Sequence, residues 1–195
     1  MFATATTKGV KIFDVKNGDL LSEININSLQ TKQVEISYSD KQFVVLYEDK
    51  GRESFVKVFN TKDAIEHGKK DSQCDYVTLI KGPKDHGINN VKWGPLDKSL
   101  FYCTDKGRLL KYDLEESSVV KAGDVHRNEI FTMTFSRDFT MLFTCSRDGS
   151  CKLLNPDTFD VIRSLNFTFP CRNSAISPLY DAEDNQKFHV LLCGG

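Results

Sequence analysis

Long apolar runs, paired zinc-type cysteines and a basic excess are all missing from this sequence. Its 195 residues contain no apolar run of the roughly eighteen residues that a membrane-crossing helix needs. Lys and Arg total 26 against 27 for Asp and Glu, a net charge of −1. A domain that grips nucleic acid through its own field carries a basic excess, so direct nucleic-acid binding is not expected. The six cysteines, Cys74, Cys103, Cys145, Cys151, Cys171 and Cys193, show no CxxC spacing. The four histidines, His67, His86, His126 and His189, are scattered, with no HExxH pattern. Neither set has the spacing of a metal site. No GxSxG elbow and no GxxxxGKS phosphate loop is present. No catalytic residue, metal or cofactor is therefore nominated. The opening MFATATTKG lacks the basic start and apolar core of a secretory signal, which points to the cytosol. In a reducing compartment the cysteines read as small buried hydrophobes, although Cys145 and Cys151 flank one turn and could face each other across it.

What is present is repetition. ATTKGVKIFD (5–14), YEDKGRESFVKVFN (47–60), CTDKGRLLKYD (103–113) and TCSRDGSCKLLN (144–155) each run from a glycine turn into a short alternating strand closed by Asp or Asn. The turn glycines stand at 9, 51, 107 and 149, so successive copies are 42, 56 and 42 residues apart. A period near 40–45 residues is that of four-stranded propeller blades. The longer interval holds the polar stretch TKDAIEHGKKDSQ (61–73), expected to be a solvated inserted loop. Period-two alternation yields short strands throughout and no stretch with helical periodicity, length and a cap. The fold class expected is all-β: WD40-type β-propeller blades forming a partial ring, roughly 3.5 blades of seven. It is read as a single domain over 1–195, with blade segments 1–25, 33–80, 88–123 and 129–167 and an incomplete 172–195.

Turn chemistry singles out one copy. A two-residue hairpin needs positive φ, which glycine adopts without steric cost, and Asp148-Gly149 is the strongest such signal. Lysine precedes the glycine in the other copies, so only Asp148 can bond back into its own blade. His126 lies just ahead of the strand at 129–136. With a hydroxyl from Thr144 or Ser146, His126 and Asp148 are expected to form a buried structural hydrogen-bond network centred on Asp148.

The Asp-Gly turn, the strand ending in Asp or Asn and the upstream histidine resemble the WD repeat. Phe13-Asp14, Phe59-Asn60, Tyr112-Asp113 and Leu154-Asn155 stand where that pattern has Trp-Asp. Without the tryptophan, the family's full four-residue network does not form. Trp93-Gly94-Pro95-Leu96 is followed by Ser136-Arg137-Asp138 with Thr140-Met141. Asn173-Ser174-Ala175, Ser177-Pro178, Tyr180-Asp181 and Gly194-Gly195 then follow in order. The series is similar to the WD-repeat i-subunit family of eukaryotic translation initiation factor 3, also described as TGF-β-receptor-interacting proteins. The sequence departs from that family in the insertions at 61–73 and 182–188.

The resemblance implies a non-catalytic scaffold in the cytosol, supporting assembly of the 40S pre-initiation complex. Its partners would be the b and g subunits, with the 40S ribosome contacted indirectly and no membrane involved. The alternative within the resemblance is an adaptor in receptor or kinase signalling. Asp138 and Arg147 are nominated for partner binding because turns project from a propeller rim. A family of seven-bladed rings also implies that this chain, as a fragment, leaves sheet edges uncovered that favour self-association.

Overall fold

The computed structural model describes residues 1–6, 9–25, 30–49, 51, 53–68, 74–84, 86–177 and, by backbone alone, 190–194. The expected turn at Thr7-Lys8, the insertion 182–188, His189 and Gly195 lie outside the described residues. The chain divides into two compact units, Met1–Ile88 and Asn89–Gly195.

In the first unit, β1 (Phe2–Thr6), β2 (Gly9–Phe13) and β3 (Leu20–Asn25) form a three-stranded antiparallel meander. A four-stranded meander follows: β4 (Gln30–Ile36), β5 (Gln42–Glu48), β6 (Ser54–Asn60) and β7 (Thr78–Lys81). Their shared core takes Val10 and Ile12 from β2 and Phe43, Val45 and Tyr47 from β5.

The stretch expected to be an insertion loop at 61–73 is in part a helix, α1 (Thr61–Gly68). At eight residues it is too short to show periodicity, and the last residue of the preceding strand bonds to a side chain of its first turn. Asn60 Nδ2 donates to Asp63 Oδ2 at 3.1 Å, placing a carboxylate in the first turn where the helix dipole favours it. Ala64 is fully buried, and its carbonyl accepts the Ser22 hydroxyl of β3 at 2.7 Å. Tertiary packing thus decides what local propensity could not.

The second unit holds two complete four-stranded sheets. One is β8 (Ile88–Trp93), β9 (Ser99–Thr104), β10 (Arg108–Asp113) and β11 (Ser118–Asp124). The other is β12 (Ile130–Phe135), β13 (Leu142–Ser146), β14 (Ser150–Leu154) and β15 (Val161–Asn166). A two-stranded sheet of β16 (Cys171–Ile176) and β17 (Val190–Gly194) closes the order. Burial follows position in the sheet. Every residue of β9 and β13 is buried, whereas every residue of β15 is exposed. Phe101, Leu109, Met133, Leu142 and Leu154 pack between the two complete sheets.

The turn geometry differs from the expected two-residue hairpin. Between β13 and β14 the loop has three residues, Arg147-Asp148-Gly149, and Gly149 N–H donates to the Ser146 carbonyl at 3.3 Å. Positive φ falls on Gly149 (80°) and not on Asp148. A three-residue loop of this kind matches strand twist by ending in a left-handed glycine. Gly107, at φ 81°, does the same between β9 and β10.

Candidate functional site

Thr144, near the end of β13, and Ser150, at the start of β14, sit either side of the Asp148 turn. Antiparallel pairing opposes Thr144 to Lys152 and Cys145 to Cys151, so the even-numbered side chains share one face. The loop running from β11 to β12 carries His126 onto that face. The imidazole has 0% side-chain exposure. Its Nε2 lies 2.8 Å from Thr144 Oγ1, and its Nδ1 lies 2.9 Å from Ser150 Oγ and 3.2 Å from Asp148 Oδ2.

The proton positions follow from charge. Burial pushes His126 down to about 4, against the pull of Asp148, so the ring is neutral near pH 7. Burial also raises the Asp148 carboxyl, but hydrogen bonds from Ser150, Arg127 N–H and Ser150 N–H outweigh it and hold the group near 2. An ionised carboxylate only accepts, so Nδ1 carries the proton and Nε2 accepts the Thr144 hydroxyl. Asp148 Oδ1 accepts Ser150 O–H at 2.6 Å and Ser150 N–H at 2.8 Å, while Oδ2 takes Arg127 N–H at 2.9 Å.

Ser146 does not reach the imidazole. Its hydroxyl accepts Asp148 N–H and donates to the Asn128 carbonyl, both at 3.1 Å, bracing the turn against the same loop. Ser150 and Arg127 N–H are the partners that sequence reading passes over. Ser150 had a signal, since an aspartate commonly bonds to the backbone two residues onward. Arg127 N–H has none, because any residue type supplies it.

Asp138 and Arg147 occupy successive turns of one meander and so stand at opposite ends of the blade. Asp138, between β12 and β13, accepts Ser136 O–H at 2.6 Å and Thr140 N–H and O–H at 3.1 and 2.9 Å. Burial raises its carboxyl, but these bonds together prevail and lower it. Arg147 is 61% exposed and lies 3.5 Å from Glu129.

This arrangement is suited to holding backbone, not to reaction. Both imidazole nitrogens are occupied and no solvent reaches the ring, so it has no route to a substrate proton. Among the described residues no group of three or more His, Cys, Asp or Glu is placed to hold a metal ion. Among them, too, no helix is long and apolar enough to cross a membrane.

No family model matches the chain. Eukaryotic translation initiation factor 3 subunit I of Drosophila pseudoobscura pseudoobscura is 28% identical over 188 residues, covering 95% of this chain and 54% of that protein. The subunit I of Dictyostelium discoideum is 27% identical over 169 residues, 86% of this chain and 47% of its own length. That of Drosophila willistoni reaches 33% identity over 109 residues, 55% of this chain and 32% of its own. The resemblance read from the sequence motifs is the one these relatives carry. This chain spans about half the length of the curated relatives it matches. In fold it is similar to a chain in the crystal structure of the mitotic checkpoint complex, with a TM-score of 0.70 at 13% identity, covering 89% of this chain and 49% of that one. The sheets are blades of the WD40 propeller type.

Proposed function

We propose that this chain is a non-catalytic WD-repeat scaffold of eukaryotic translation initiation factor 3, supporting the protein contacts of 40S pre-initiation complex assembly in the cytosol. The observation that carries this reading is similarity to subunit I over 95% of the chain. The sealed imidazole of His126 supports the non-catalytic part, because this polar cluster presents no reactive group. Near-zero net charge supports protein partners over nucleic acid. On this reading the partners are the b and g subunits, and the exposed Arg147 turn is part of the contact surface.

Co-purification tests it. Tagged chain mixed with purified b and g subunits is expected to retain at least one of them through a salt wash. Recovery of neither overturns the scaffold assignment. If a subunit is retained, Arg147→Glu is expected to weaken retention while leaving the fold intact by circular dichroism. Unchanged retention would remove Arg147 from the interface and leave the scaffold reading standing.

A further inference from the structure

Cys145 and Cys151 are directly opposed across the β13–β14 hairpin. Their sulfurs lie 2.7 Å apart, both residues are fully buried, and both thiols are free. A disulfide bond is about 2.05 Å long, and opposed antiparallel residues have Cα atoms about 4.5–5.5 Å apart, within the span it bridges. Bond formation therefore asks for a small movement of sulfur and none of the chain path. At the matching place in the β9–β10 hairpin, Cys103 is opposed to Leu109. An ordinary hydrophobe thus serves opposite a cysteine in this core, and packing alone does not call for a second thiol at 151.

We infer that Cys145 and Cys151 are a redox-active dithiol that closes reversibly to an intrachain disulfide. With oxidised glutathione as oxidant, a Cys151 or Cys145 thiolate attacks the glutathione disulfide and releases one glutathione thiolate. The second cysteine thiolate then displaces the other glutathione from the mixed disulfide. One S–S bond is broken and one formed; two protons and two electrons pass from the protein to two molecules of glutathione.

The structure sets the rate and the consequence. The adjoining Cys145 thiol, with burial, pushes Cys151 up, so little thiolate exists near pH 7 and exchange quickens with base. Access runs past β15, which pairs Leu165 with Cys151 and is exposed along its whole length; such an edge opens locally at low cost. Cys145 and Cys151 point to the face opposite Thr144 and Ser150, so the closed bond joins the two strands beside the Asp148 turn without entering its polar network.

Peptide mapping of the native 195-residue chain provides the test. The chain is incubated with oxidised glutathione near pH 8, free thiols are alkylated, and the protein is digested with trypsin, which cleaves after Arg147 and separates the two cysteines. The expected product is a disulfide-linked pair of the 138–147 and 148–152 peptides, two hydrogens lighter than the reduced pair and dissolved by dithiothreitol. It should persist in Cys103→Ser and vanish in Cys145→Ser. Recovery of both peptides singly alkylated while Cys74 carries glutathione overturns the inference, as does linkage of Cys151 to Cys171.

Discussion

The hairpins β9–β10 and β13–β14 share a backbone and differ in chemistry. Each closes through a glycine N–H on the carbonyl three residues earlier, at 3.3 Å in both, with the glycine left-handed. Each ends its first strand in a hydroxyl residue that accepts turn N–H groups: Thr104 from Lys106 and Arg108, Ser146 from Asp148. From there they part. Where β13–β14 has Thr144, Asp148 and Ser150, β9–β10 has Tyr102, Lys106 and Arg108. Glycine and hydroxyl are therefore enough to make the turn. The acid does something else: it fastens the turn to the incoming loop. That loop is already held on its other side, since Val125 and His126 N–H both donate to Gly107 O at 3.1 Å. The loop from β11 to β12 is thus gripped by the glycine of one sheet and the aspartate of the next.

The largest effect is expected from the glycines both hairpins share. A Cβ on Gly107 would lie 2.2 Å from His126 O, and one on Gly149 would lie 2.6 Å from Phe167 O, each added to an unfavourable positive φ. Gly107→Ala should cost roughly 2–4 kcal/mol and Gly149→Ala somewhat less, read as shifts in denaturation midpoint at constant slope. Equal, near-zero shifts would break the claim that glycine makes the turn.

Acid should separate the hairpins next. The unfolded chain protonates His126 near its ordinary value of about 6.5, whereas the folded chain resists until about 4. The network's stability is thus fully present above about 6.5 and is lost as pH falls toward 4, by an amount on the order of 3 kcal/mol. Asp148, with its folded value near 2, adds a further loss between about 4 and 2. His126→Gln should flatten the upper part of this profile in urea titrations run at stepped pH. An unaltered profile would mean that other groups govern it.

A smaller effect is expected at the position where the two turns differ most. Asp148→Ala leaves Ser150, Arg127 N–H and the imidazole short of an acceptor and should cost about 1–3 kcal/mol. Lys106→Ala, its counterpart, should change stability by less than about 0.5 kcal/mol. Paired denaturation curves measure the contrast, and matching costs would erase it.

The blades were legible because alternation and glycine spacing are properties of short local stretches. FVKVFN shows its buried face by period two through Val56 and Val58, and β6 buries both, with Phe59 buried beside them out of step. Helix α1 was hidden because its stability comes from Ala64 packing onto Ser22, 42 residues away in sequence. Turn length is not legible in sequence because Asp-Gly fits a two-residue and a three-residue loop alike, and the register of the paired strands decides between them. Of the site, residue type pointed to His126, Thr144 and Asp148. The backbone N–H of Arg127 carries no side-chain signature, and Ser146 looks as apt as Thr144 until strand alternation and register assign their tasks.

The bareness of β15 has a consequence for how the chain behaves among its own copies. From Asp160 to Phe169 every residue is exposed, including Val161, Ile162, Leu165, Phe167 and Phe169, and among the described residues β15 pairs with β14 alone. Such a strip combines unpaired peptide groups with grease, the composition of an adhesive. In a concentrated solution of this chain the strip is expected to draw molecules together through their edges. Whatever covers this strip acts, in colloidal terms, as the chain's stabiliser.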